Sequence, residues 1–500
     1  MKDSSNKQMK LGAIISYVAL GISILTGLLY TPWMKDRIGI ENFGLYTLAT
    51  SLISIFMLDF GLGSAVSRFL SKYRAEGNVD GANDIMGIIY KLYIAIDIVI
   101  LFVLTGLFFF IEEIYVKLTQ AEIEQFKVLY LIVAGFNIVS FPLSPLNGIL
   151  NAYEKFIQLK TCDLISKIAT VVCVVIALTV SSSVVVVVGA NVLSSLITIV
   201  VKFVIAKKTV PLKVNFKASG SGLYKSLFSF TVWTTIISIM QRFTHSFAPS
   251  ILGITASSTE IAIYSPAVTL EGYFYMFAMA INGLFLPRVS KYIADKKEDE
   301  ILNLMIKVGR YQTIVLGLVF IGFLSVGSQF MVLWMGPEFS KTYICALIIL
   351  FPTLVSATMQ IANTTVIAKN LIKYHAICMI ITGVLGLAIS YVLALTLGSI
   401  GVCVGTAFTA LVNTAYNNYI YKKKAGIDIF KFYKKCYLKA IPCYALVFGL
   451  SLMILNLINI EGWAGFIVKA VVVAIIYGIV FFTLYMEKEE RKRILFFIKK

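Results

Sequence analysis

Five hundred residues that are 59% hydrophobic and only 14% charged, with a mean hydropathy of +0.87, exclude an ordinary soluble domain, in which about a quarter of residues are charged. Apolar runs near twenty residues recur along the chain, each long enough to cross about 30 Å of hydrocarbon as a helix. Such runs, rather than ten-residue alternation, also exclude a transmembrane barrel. A net charge of +18 would suit nucleic acid or an anionic surface, but its distribution reads first as a topology signal.

The apolar runs predict an all-α polytopic membrane protein of about 14 transmembrane helices. Helices are expected near 12–33, 43–66, 85–111, 125–149, 159–180 and 183–206. A polar linker follows at 207–222, and then come 223–248, 260–285, 302–328, 342–367, 374–396 and 398–421. The last pair is placed at 433–456 and 462–486. The breaks within the fifth/sixth and eleventh/twelfth pairs rest on Ser181–Ser183 and on Leu397-Gly398-Ser399. No cleavable signal peptide is expected, because the first apolar run is of full length and lacks a small-residue cleavage site. The seven cysteines are scattered, form no CxxC pair and read as small packing residues.

With the N-terminus inside, 37 of the 44 Lys and Arg residues fall on inner segments, and only Lys35, Arg37, Lys117 and Lys341 on outer ones. Basic residues in short loops stay on the cytoplasmic side, so both termini are expected there. The same positive segments would attract anionic membrane lipids; no nucleic-acid partner is expected. Trp33, Trp334 and Trp463 fall at outer helix ends, where an interfacial aromatic belt would lie. The connections near 67–84 and 286–301 are charged and read as helical extensions along the interface.

One stretch recurs. Gly39 to Tyr73 returns after 219 residues, so that Ser71, Lys72, Tyr73, Ala75, Glu76 and Lys91 fall on Ser290, Lys291, Tyr292, Ala294, Asp295 and Arg310. With one residue of slippage Tyr46 falls on Tyr264. This predicts two pseudo-symmetric six-helix lobes, 1–206 and 223–421, joined by the linker 207–222 and followed by 422–500 with the last helix pair and a basic tail. An even number of spans per lobe gives both copies one orientation, as in parallel-repeat transporters whose halves rock about a central site.

Ionisable residues at membrane depth are few: Asp59, Asp97, Arg242, Glu271 and Lys469. Each costs about 2.5–3.5 kcal/mol at a helix centre, so each should meet water or an opposite charge. Arg242, with His245 three residues on and on the same helical face, could receive an anionic substrate group such as phosphate; its alternative is a structural pair with Glu271. Asp59, Asp97 and Glu271 could couple transport to a proton or sodium gradient or line a polar cavity; their alternative is interhelical pairing. Lys469 reads as snorkelling, and His375 as solvated at a helix end. Pro142, Pro145, Pro266 and Pro352 interrupt predicted helices, as hinges or as bends in packed helices. Gly61, Gly63, Gly383 and Gly386 suit close helix packing. The sequence carries no Walker loop, no HExxH, no metal-spaced Cys/His cluster and no catalytic outer loop, so no cofactor, no metal and no enzymatic activity are expected.

The segments GLYTLATSLISIFMLDFGLG and RFLSKYRAEG, the exit PLNGILNAYEKF, and IAIYSPAVTLEGYFYMFAMAINGLFLPRVSKY in the second half resemble oligosaccharide flippases of the polysaccharide transporter family. That family lies within the multidrug/oligosaccharidyl-lipid/polysaccharide exporter superfamily. The resemblance covers essentially the whole chain. It implies movement of an undecaprenyl-pyrophosphate-linked oligosaccharide repeat unit across a bacterial cytoplasmic membrane, for surface polysaccharide. A glycan polymerase and glycosyltransferases would then be partners. Many members carry an acid before the Arg at the end of the seventh helix; here Gln241 precedes Arg242. The other readings are an ion-coupled drug antiporter of the same superfamily, a peptidoglycan-precursor flippase and, from another class, a membrane-embedded glycan polymerase.

Overall fold

A computed structural model describes residues 2–56, 62–218, 232, 235–240, 242–243, 246–282, 285–295, 297–369, 371–488 and 490–492. Every regular element among them is helical. By its contacts the chain forms two compact units, Met1–Ser265 with Ile389–Val402, and Pro266–Ala388 with Cys403–Lys500.

In the first unit, α1 (Lys2–Ile38) ends at Gly39, whose φ of 85° is open to a residue without Cβ. There the chain turns by 119° into α2 (Ile40–Phe56). The charged connection after it becomes an amphipathic helix, α3 (Leu62–Ala75). Leu62, Ala65, Val66 and Leu70 of α3 are buried, and Lys72 and Arg74 occupy its last turn. Asn78 caps α4 (Val79–Phe109) by accepting from the Gly81 amide at 2.8 Å. A short α5 (Ile111–Ile114) then leads to α6 (Gln120–Ser140), closed at its start by the Thr119/Glu122 capping box. Proline has no N–H to continue the ladder, so at Pro142 the helix passes through a single 3-10 turn into α7 (Pro145–Ala152). The Ser181–Ser183 break separates α8 (Phe156–Val180) from α9 (Val184–Thr209). Beyond Thr209 the chain is extended, and α10 (Ala248–Thr255) and α11 (Ser258–Asn282) follow, the latter passing into the second unit at Pro266. In the first unit α8 packs on α1 and α9, α6 on α2 and α9, and α3 on α4 and α7.

The second unit is organised around one long helix. After the amphipathic α12 (Leu286–Ala294), α13 (Glu298–Met335) begins with three acids in its first turn, where the helix dipole favours them. It ends at Gly336, φ 105°. Then come α14 (Ser340–Ala357), α15 (Gln360–Ala368), α16 (Ile372–Leu397), α17 (Ser399–Lys423), α18 (Ile429–Cys436), α19 (Ala440–Leu455) and α20 (Gly462–Val480), closed by a π turn at Phe481–Tyr485. Helix α13 packs on α14, α18, α19 and α20. Its Met305 and Val308 share a buried cluster with Phe432, Cys436 and Tyr437. An alanine methyl at Gly386 would lie 1.6 Å from the Thr409 hydroxyl, so α16 and α17 approach closely there.

Ten helical segments among the described residues are long and apolar enough to cross a membrane, or eleven with the bent α1/α2 pair. Many of their large apolar side chains are exposed, including Ile98, Val99 and Phe102 of α4. In water that would be a liability; in a bilayer the surrounding hydrocarbon solvates them while the helices satisfy their own backbone. This is a multi-pass membrane protein. Most of the expected seventh span, and residues 57–61 of the second, lie outside the described residues. Three details differ from expectation. The span placed at 433–456 begins earlier, at Ile429, and runs to Leu455 with a short turn between α18 and α19. Trp334 is buried and stacked on Phe330 at 5.4 Å, a packing residue rather than part of an aromatic belt. His375 is held by Asn417, its Nδ1 lying 2.9 Å from the amide oxygen, instead of standing free in solvent.

Candidate transport site

Of the residues singled out in the sequence, Asp59 and His245 lie outside the described residues. Arg242 sits on a helical turn and is exposed. Asp97 lies midway along α4, half-buried, with its Oδ1 unpartnered among the described residues. That is a costly state for a carboxylate at membrane depth and is relieved by a proton, a cation or water. Lys469 is half-buried on α20.

Glu271 has a definite partner. Its Oε1 accepts from the Thr353 hydroxyl of α14 at 2.9 Å. One turn along α11, the Tyr275 hydroxyl accepts from Gln360 at 3.4 Å. A turn further, the Ala278 carbonyl accepts from the buried Gln312 amide of α13 at 3.2 Å. The three contacts form a polar seam along α11 within the second unit, with Glu271 as its acid. The first unit has a neutral seam: Asn191 donates to the Tyr46 hydroxyl at 3.4 Å, and Thr170 and Ser194 share a hydrogen bond of 2.9 Å. Neutral amides and hydroxyls at these positions are no rarer than filler in an apolar helix, so composition gave no signal for them.

Two basic residues that read only as topology markers anchor chain segments. In the first unit, Lys91 donates to the Ala218 carbonyl at 2.8 Å and so holds the extended linker on α4. The Lys213 amide donates to Asn83 at 2.8 Å, and Asn215 donates to Asp84 at 2.7 Å. In the second unit, Arg310 makes a bidentate pair with Glu490, at 2.9 and 2.7 Å. It also donates to the carbonyls of Lys435 and Tyr485 and lies over the Tyr485 ring at 4.7 Å. The repeat already aligned Lys91 with Arg310; what each one holds was not legible.

Long apolar helices that carry polar seams and a few ionisable groups define a polytopic helical membrane protein. Over 94% of this chain and 98% of the other, the structure is similar to the lipid II flippase MurJ in an inward closed conformation, with a TM-score of 0.70 at 15% identity. The chain belongs to the polysaccharide biosynthesis protein family, whose model matches residues 10–292, and so to the exporter superfamily that its sequence resembles. It is 23% identical over 491 residues, 95% of each chain, to the uncharacterized membrane protein EpsK of Bacillus subtilis. It is also 23% identical over 190 residues, 38% of this chain and 40% of the relative, to the probable low-salt glycan biosynthesis flippase Agl15 of Haloferax volcanii.

Proposed function

We propose that this protein is a flippase that carries an undecaprenyl-pyrophosphate-linked oligosaccharide repeat unit from the inner to the outer leaflet of a bacterial cytoplasmic membrane, for surface polysaccharide. The observation that carries the reading is the family match along residues 10–292. The names of Agl15, a glycan biosynthesis flippase, and of MurJ, a lipid flippase, support the substrate class. Transport would proceed by rocking of the lobes 1–206 and 223–421 about the linker 207–222, with 422–500 outside the duplication. Arg242 and His245 receive the diphosphate, a role suited to an exposed guanidinium that binds phosphate oxygens bidentately. Asp59, Asp97 and Glu271 couple transport to a proton or sodium gradient, and no bound cofactor takes part. The positive-inside distribution supports termini in the cytoplasm. There the glycosyltransferases that build the substrate work; the polymerase that consumes it lies on the other face.

Arg242→Ala tests the site. The variant should reach the membrane in normal amounts and make no surface polysaccharide, while Arg242→Lys keeps a partial signal because charge survives without the planar fork. Normal polymer in Arg242→Ala would remove Arg242 from the site. Unchanged envelope glycan on deletion of the gene, with new sensitivity to exported drugs, would replace the flippase reading with drug export.

A further inference from the structure

The first unit contains an apolar cavity of about 420 Å³ whose walls include Ile55 of α2, Ile100 and Val103 of α4, Phe247, and Ile254 of α10. We propose that it holds an acyl chain of a membrane phospholipid, inserted sideways from the bilayer. Tyr115 and Ser250 are the lining residues with polar side chains, and they face each other at 3.4 Å, hydroxyl to hydroxyl. Burial pushes the Tyr115 phenol above its ordinary range, so it stays protonated and donates. The two hydroxyls satisfy each other in part, the rest of the described lining is apolar, and an apolar cavity tends to stay dry. Left empty, its lining would forfeit dispersion contacts on one side.

The position of the mouth selects the occupant. Val99 and Val103 line the cavity, yet both are exposed, and they lie on a membrane span beside the fully outward Phe102. The cavity therefore has side chains of a membrane span at its mouth, where the surrounding solvent is hydrocarbon. Among the described lining residues there is no lysine, arginine or histidine, so this wall differs in kind from a substrate headgroup site. The wall around Tyr115 is closely packed. Tyr115 packs edge-on against Phe126 at 5.2 Å, and an added methyl at Gly253 would come within 2.8 Å of the Tyr115 ring. A slot of this kind selects by shape and apolarity, which a phospholipid chain at bilayer concentration satisfies.

The test uses the full-length protein in vesicles of phosphatidylethanolamine and phosphatidylglycerol doped with a phosphatidylglycerol that carries a diazirine on one acyl chain. After illumination, adducts are mapped by mass spectrometry. Adducts are expected inside the cavity, at Ile100, Phe247 or Ile254, as well as on the lipid-facing Phe102. Filling the slot with Ile100→Trp, or with the milder Val103→Phe should the first variant misfold, should abolish the interior adducts and leave labelling at Phe102 intact. Labelling of Phe102 without interior adducts would overturn the proposal, as would interior adducts unchanged in a folded filled variant. Loss of interior adducts on adding an equimolar polyprenyl phosphate would also overturn it, since the occupant would then be an isoprenoid chain.

Discussion

Lys91 and Arg310 stand one repeat apart and do the same work with different means. Each lies on a long helix of its own unit and grips a segment that comes later in the chain: the linker at Ala218 for Lys91, the last residues at Glu490 for Arg310. Each is accompanied by a glycine at a close approach. A methyl at Gly87 would meet the Asn215 carbonyl oxygen at 1.8 Å, and one at Gly309 would meet the Phe432 ring at 2.6 Å. The difference lies in what is gripped. The first anchor holds main chain through one ammonium and a few amides. The second uses a guanidinium that is 5% exposed against a carboxylate that is 14% exposed, with two carbonyls and an aromatic ring completing its shell. A flexible point charge holds its segment by a single bond, whereas a planar, multiply coordinated fork fixes its segment from several sides.

The largest effect is expected from Arg310→Ala. It strands Glu490 in a partly buried site with its partner gone, and breaking a buried pair from one side costs about 3–5 kcal/mol. Thermal unfolding of the solubilised protein should show it, and limited proteolysis should cut earlier near residue 486. Arg310→Met paired with Glu490→Met should recover most of the loss, because the penalty is that of the unpaired charge. If single and double variants were equally damaged, the anchor would be a matter of packing alone.

Gly87→Ala comes next, at about 2–3 kcal/mol, the range for forcing atoms into a packed interior. Its clash is with main chain, which cannot rotate aside, so the linker must leave α4. Gly309→Ala should cost less, since the Phe432 ring can turn. Protease accessibility of 210–218 in the first variant and of 429–436 in the second would measure the contrast directly. Lys91→Met should cost about 1.5 kcal/mol, as expected for one hydrogen bond from a charged donor, and should loosen the same linker without unseating Asn83 from Lys213.

These anchors also mark what the sequence could and could not disclose. Lipid solvation demands unbroken apolar runs, so the ten or eleven spans among the described residues could be read directly, as could the breaks at Ser181–Ser183 and Gly398 and the helical character of the charged connections that form α3 and α12. Glu271 stood out because an acid in such a run is costly. Its partner Thr353 did not, because a hydroxyl that bonds back to its own helix is unremarkable in any span. Arg310 was hidden differently: its acids lie far along the chain, in a tail that otherwise reads as basic, and pairing at that separation leaves no local pattern. The internal repeat held a clue, a basic residue recurring at the equivalent position, Lys91 and Arg310. Arg242, Asp97 and Glu271 were legible as costly residues, but which group each one serves is a tertiary property.

The smallest expected effect sharpens the comparison most. Arg310 also lies 3.3 Å from Glu487, a distance that on paper matches a good ion pair. Yet the Glu487 side chain is 60% exposed, so water and salt screen the pair, and exposed pairs contribute under about 1 kcal/mol. Glu487→Gln should therefore leave the unfolding temperature nearly unchanged and the change should vanish in high salt, while Glu490→Gln, three residues on, should approach the loss seen for Arg310→Ala. Equal losses in the two variants would mean that the anchor is a diffuse charge cluster, and the contrast with Lys91 would then be one of degree.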